Sequence, residues 1–104
     1  MRISDLVRGQ VLYEVKRERM GNTTMRTTAV RRVIICDIGD HWFEASWNSN
    51  PPKRFYSIPP SWRKGKPYLV RNGLSARPAT RAERAVGEIV ERSDWFIVRR
   101  RGES

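Results

Sequence analysis

Two proline pairs, Pro51-Pro52 and Pro59-Pro60, interrupt the middle of this chain. A proline has no backbone N–H to donate, and Pro51 pushes Asn50 before it away from helical backbone. No long helix can cross this region, so its regular structure must come in short pieces. Asn48-Ser49-Asn50-Pro51-Pro52 reads as a break. Lys53–Ile58 reads as a short strand with Phe55 on one side and Tyr56 on the other. Pro59-Pro60-Ser61-Trp62 fits a single helical turn, because proline is tolerated in a first turn. Gly65 and Pro67 end it, and Tyr68-Leu69-Val70 reads as another short strand, closed by Arg71-Asn72-Gly73.

Upstream, the pattern is that of strands. Val11, Tyr13 and Val15 alternate with Leu12, Glu14 and Lys16, which predicts a half-buried strand over 10–16, entered through the turn at Gly9. Residues 17–28 are polar and contain Gly21-Asn22, which predicts a long hairpin loop whose threonines can extend the flanking strands. Residues 29–38 are rich in β-branched side chains and form the clearest strand. Gly39-Asp40 then predicts a tight type II′ hairpin into a strand ending at Trp47. Phe43, Ala45 and Trp47 share one face of that strand, and Trp42, Glu44 and Ser46 the other. One of the two tryptophans therefore belongs to the core, and the other must be covered or exposed.

Downstream, Thr80 and Glu83 have the spacing of a capping box. Ala82, Ala85, Val86, Ile89 and Val90 recur at steps of three and four, which predicts a helix over 81–92 with one apolar stripe. Gly87 inside it costs about 1 kcal/mol relative to Ala, which points to a close neighbour. Trp95–Val98 is a short apolar run that fits a strand or a helix equally. The expected organisation is one domain over 1–104. Within it, 6–70 is barrel-like, 71–98 a helical appendage and 99–104 a basic flexible tail. The expected fold class is mainly β: a small antiparallel barrel or strongly curved sheet with a C-terminal helix packed on it.

The stretch Leu6-Val7-Arg8-Gly9-Gln10-Val11-Leu12-Tyr13 resembles the opening of SH3-like barrels, including the KOW-type modules. The resemblance extends over about residues 6–70 through the order strand, long loop, two hairpinned strands, short strand, helical turn. It implies the barrel. The runs Met20–Arg26 and Ser46–Pro52 are also similar to those of small proteins of bacteriophages. That likeness implies a phage or prophage setting and no particular activity.

Charge points to a partner. The net charge is +10, and between Glu44 and Glu83 there is no acidic residue but eight basic ones. Trp47, Phe55, Tyr56, Trp62 and Tyr68 are interleaved with those cations. Cations neutralise phosphates, flat rings stack on bases, and a one-signed stretch this long repels itself unless a polyanion is near. The candidate contacts are Lys53, Arg54, Tyr56, Trp62, Arg63, Lys64 and Lys66 around the two proline pairs. Arg17, Arg19 and Arg26 form a second arm in the 17–28 loop. Trp62 has the alternative of plugging a barrel end, and Phe55 reads as core. Arg31 and Arg32 lie on opposite faces of one strand, so one needs an acidic partner, for which Glu44 across the hairpin is placed, or the sheet edge.

Enzymatic motifs are missing. Glycines are scattered singly, His41 sits at a hairpin, and Asp37, Asp40 and Glu44 are the one acidic cluster, too weak a constellation for a metal nuclease. One Cys and one His cannot supply the roughly four ligands of a structural zinc site. Cys36, within Val33-Ile34-Ile35-Cys36, reads as a small buried hydrophobe. No apolar run approaches the roughly 20 residues of a membrane span, and Met1–Leu6 has no apolar signal core. No cofactor and no membrane are expected, and the expected setting is the cytoplasm, that of an infected bacterial host if the phage likeness holds.

The resulting expectation is a non-catalytic protein that binds DNA or RNA through its backbone with weak sequence preference. The helix at 81–92 carries acids on its polar face and makes a poor recognition helix. The alternative is a small phage-type inhibitor that binds a host protein complex, of the defence or polymerase machinery, because exposed Trp, Tyr and Arg also make protein hot spots.

Overall fold

A computed structural model describes residues 1–47 and 50–100. The elements are β1 (Val11–Arg19), β2 (Arg26–Ile38), β3 (Phe43–Trp47), β4 (Lys53–Phe55), β5 (Trp62–Arg63), β6 (Tyr68–Asn72), β7 (Ser75–Pro78), α1 (Arg81–Val86), β8 (Glu88–Glu91) and β9 (Phe96–Arg99). The protein is mainly β with one short helix. The strands form two sheets, ordered β4-β3-β2-β1-β5 and β7-β6-β9-β8. Neither sheet closes on itself, so the expected barrel is replaced by open sheets.

The chain divides into two compact units. The first holds Met1–Glu14 and Arg31–Gly65, and the second holds Val15–Val30 and the chain from Lys66 onward. Strands β1 and β2 each contribute to both.

The first unit is organised by period-two burial. Leu12, Val33, Ile35, Phe43 and Ala45 point inward and are fully buried. Leu6 and Trp62 complete this core, and Ile3, Ile38, Trp47, Phe55 and Ile58 pack on it. Phe43 and Phe55 face each other across β3 and β4, with rings stacked at 5.2 Å. Trp62 meets both edge-on, at 5.8 and 5.1 Å. Aromatic pairs at such distances stabilise by about 0.5–1.5 kcal/mol beyond their buried area. The turn before β5 is closed by the Trp62 N–H donating to the Pro59 carbonyl; it is a hydrogen-bonded turn, where the sequence leads one to expect a turn of helix. Trp47 is thus the core-side indole of β3, and Trp42 is covered by the Arg54 guanidinium 4.0 Å above its ring.

Two expectations fail within this unit. Gly39 does not adopt the positive φ that a type II′ turn needs. The paired residues are Ile38 and Phe43, so the loop spans 39–42, and Gly39 is required because a Cβ there would overlap the Trp42 indole. Cys36 is exposed, not buried. It follows Ile35 on the outward side of β2, where the register with β3 shifts between Ile35 and Asp37. The second arm of the sequence reading also changes form. Arg17, Arg19 and Arg26 are strand residues of β1 and β2, and the loop is confined to 20–25.

The second unit departs most from expectation. The helix stops at Val86, none of its residues is buried, and Ile89 lies in β8. The stretch read as a helical appendage is therefore a sheet with one helical turn and a half. The capping box itself forms: the Glu83 N–H donates to Thr80 Oγ1 at 3.1 Å, and the Thr80 N–H to Glu83 Oε1 at 2.9 Å. What ends the helix is Gly87, extended at φ −85°, ψ 165°. Its Cα faces β9, where a Cβ would come within 2.6 Å of Val98 Cγ1 and 2.9 Å of the Arg99 carbonyl oxygen. The close neighbour implied by Gly87 is thus a strand, and β-branched Ile89 and Val90 pair with it: Ile89 opposite Val98 and Val90 opposite Ile97. Strand β9 also runs parallel to β6, with Tyr68 beside Phe96 and their rings stacked at 4.7 Å. The reversal between β6 and β7 uses two residues, Gly73 and Leu74, with Gly73 at φ 65°. Arg99 belongs to β9 and not to a flexible tail, and Arg101 of that run lies outside the described residues. So do Asn48 and Ser49 of the phage-like run.

Candidate nucleic-acid interface

The residues singled out in the sequence fall into both units. In the first, Lys53, Arg63 and Lys64 are exposed, and Tyr56 is 71% exposed. Lys53 Nζ sits 5.9 Å from the centroid of Phe55. Arg63 Nη1 donates to the Pro60 carbonyl at 3.2 Å, which ties its guanidinium to the second proline pair. Arg54 is engaged twice, stacked on Trp42 and paired with Glu44 at 3.3 Å. That pair claims the carboxylate expected to serve one of Arg31 and Arg32, and Arg31 meets Glu14 at 3.4 Å.

Trp62 leaves the candidate surface. It is 4% exposed, and its indole N–H donates to Glu14 Oε2 at 3.1 Å. A buried ring cannot stack on a base; Trp62 is a core residue of an open sheet, and with no closed barrel it plugs no barrel end. Trp62 is inward because β5 pairs with β1, placing it opposite Glu14 and turning the ring onto Phe43 and Phe55.

In the second unit, Arg17, Arg19 and Arg26 are exposed. Lys66 is held in place: Nζ pairs with Glu91 at 2.7 Å, donates to the Arg92 carbonyl at 2.9 Å and lies 5.5 Å from the Phe96 ring centroid. It fixes the loop before β9 and has little freedom to follow a ligand.

The second unit also contains a feature that sequence reading missed. A groove of about 980 Å³ is lined by Arg71, Arg77, Arg92, Arg99 and Arg100. Its apolar surface comes from Val70, Val86, Ile97, Val98 and Trp95. Arg77 forks onto Glu83 with bonds of 2.8 and 2.7 Å. That guanidinium, together with the Thr80 N–H, holds the Glu83 carboxyl down at about 2. Arg99 pairs with Glu88 at 3.2 Å, while its Nε is buried without a hydrogen-bond partner among the described residues. Arg71, Arg92 and Arg100 form no ion pair with any described residue. Among the described residues Glu83 is the one carboxylate that lines the groove, and with Glu88 it balances two of the five arginines there. Arginine suits phosphate because its planar fork offers paired donors.

Among the described residues no three His, Cys, Asp or Glu side chains gather as a metal site. No helix among them is long and apolar enough to cross a membrane. No protein-family model, curated protein or solved structure matches this chain.

Proposed function

We propose that this protein binds nucleic acid, DNA or RNA, without catalysing a reaction on it. The binding is led by the phosphate backbone and carries weak sequence preference. The observation that carries this reading is the groove of the second unit, where five arginines face one cavity and three of them have no acidic partner among the described residues. Such unneutralised charge favours a polyanion and repels itself without one. The exposed Lys53, Arg63 and Lys64 of the first unit offer further cations for phosphate contact. The SH3-like reading of that unit is supported by its strand order, in which β1 to β4 follow one another and β5 returns to β1 after a single turn.

The test is a salt titration. Affinity for duplex DNA, single-stranded DNA and structured RNA is measured from low to physiological ionic strength. Counterion release lowers the logarithm of affinity linearly with the logarithm of salt, by about 0.9 per phosphate neutralised on B-DNA and about 0.7 on single strands. Changing Arg71, Arg92 and Arg100 together to Ala flattens that slope. If no nucleic acid binds in a salt-sensitive way, the reading is wrong.

The phage-like sequence likeness supports a second reading, an inhibitor that docks on a host protein complex in the bacterial cytoplasm. Exposed Tyr56 beside Arg54 and exposed Leu74 and Val86 favour it. A complex formed with host protein that survives nuclease and is indifferent to salt distinguishes this reading from the first.

A further inference from the structure

A second cavity opens beside the arginine groove. It has a volume of about 300 Å³, within the range of small-ligand pockets. Ala29, Val30, Leu69 and Ala76 give it apolar walls, and Thr27 and Thr28 add hydroxyls. Arg71, Trp95 and Ile97 line both this cavity and the groove, so the two meet along those three side chains. The wall is built and not incidental: the Ala76 N–H donates to Thr27 Oγ1 at 2.9 Å, which fixes β7 to β2 at the cavity. Leu74, 82% exposed, stands at the rim on the β6–β7 turn.

An apolar, ring-bearing cavity next to a row of cations has the complementarity of a nucleotide, a flat base attached to a phosphate. A purely phosphate-reading surface has no use for the first half. We infer that the cavity and the groove form one site for single-stranded nucleic acid, in which an unstacked base enters the cavity beside Trp95 and the flanking phosphates lie along Arg71, Arg92 and Arg100. This rests on the nucleic-acid reading above and names its strand class. A duplex is a poorer ligand because its bases are stacked and paired, and extruding one costs a few kcal/mol. Arg71 joins the two parts, since it lines both.

The test compares three fluorescein-labelled probes of equal length: oligothymidylate, the same sugar-phosphate chain with abasic sugars, and a duplex. The abasic chain keeps the phosphates and loses the bases. The site predicts that oligothymidylate binds about tenfold or more tightly than the abasic chain, in line with the contribution of one stacked base. Ala76→Leu narrows the cavity without changing charge and brings the two single-stranded probes toward equal affinity. Arg100→Ala weakens both alike and leaves their ratio intact. If Ala76→Leu fails to fold, Ala29→Leu narrows the cavity from β2 and carries the same expectation. Equal binding of the abasic and base-bearing chains, or tighter binding of the duplex, overturns the base cavity while the nucleic-acid reading stands. Salt-insensitive or undetectable binding of all three probes overturns both.

Discussion

Trp62 donates its indole N–H to the carboxylate of Glu14, 3.1 Å away and directly opposite it across β1 and β5. The bond satisfies the one polar group of a ring otherwise packed on Phe43 and Phe55. It also explains why an acidic residue is tolerated on the inward side of β1, at the position that follows Leu12 on the same face. Glu14 is only 18% exposed at its side chain and meets Arg31 at 3.4 Å as well, so its charge is balanced.

Trp62→Ala therefore acts on stability. It removes a core side chain and takes from Glu14 one of its two donors, leaving Arg31, and the expected loss is about 3–5 kcal/mol, typical of buried aromatic truncations. Trp62→Phe keeps part of the packing and should lose less. Urea unfolding midpoints measure both. If Trp62→Ala unfolds at the wild-type midpoint while weakening nucleic-acid binding, the ring is on the surface and not in the core.

Gly87→Ala should destabilise the second unit. The added methyl meets Val98 and the Arg99 and Glu83 carbonyl oxygens, all within 3 Å. Overpacking of this kind costs about 1–3 kcal/mol. In an ordinary exposed helix the same change stabilises, so the direction of the thermal shift discriminates between strand contact and continuous helix. Ile89→Ala gives a second check. At 45% exposure in β8 it should cost well under the roughly 2–5 kcal/mol of a buried aliphatic truncation.

Acid should loosen the cap of α1. The Glu83 carboxyl sits at about 2 in the folded protein against an ordinary value of 4.5, held by Arg77 first and the Thr80 N–H second. A depressed carboxyl favours the fold where it is ionised in both states, above 4.5. That contribution fades as pH falls from 4.5 and is gone below about 2. Glu83→Gln should flatten the acid limb of the stability profile in that window. Nuclear magnetic resonance titration of the Glu83 side chain should report a midpoint far below that of a free glutamate; a midpoint near 4.5 contradicts the fork to Arg77.

Much of the first unit was legible because its strands are sequential and alternate with period two. The shared face of Phe43, Ala45 and Trp47 follows by counting, as does the alternation of Val33 and Ile35 along β2; Leu12 does not, because it shares its side with Glu14 and Lys16 while Val11, Tyr13 and Val15 make the more apolar row. Cys36 was misread although the same counting turns it outward: an apolar run was treated as wholly buried when only every second residue is. The second unit was less legible because its pairings are remote in sequence. The stripe from Ala82 to Val90 has helical spacing, and the Thr80–Glu83 cap does start a helix. Its second half is drawn into a sheet by β9, whose partner β6 lies nearly thirty residues upstream and runs parallel. Arg71 of β6 and Arg99 of β9, which line the groove together, lie beyond the paired residues of those two strands. The arginines of the groove are scattered along the sequence, so no local window displays them. The acid-free window held two of them, Arg71 and Arg77, but drew attention to Lys66 and Trp62, which the fold uses for its own cohesion.

The central claim, that this basic surface exists for a nucleic-acid backbone, is tested most directly by the salt dependence of binding to a labelled single strand, wild type against the Arg71, Arg92 and Arg100 triple alanine variant. The account predicts a linear fall of log affinity with log salt in the wild type, with about 0.7 of slope lost for each phosphate contact the variant gives up. Binding that is absent, or whose slope is the same in both proteins, contradicts it.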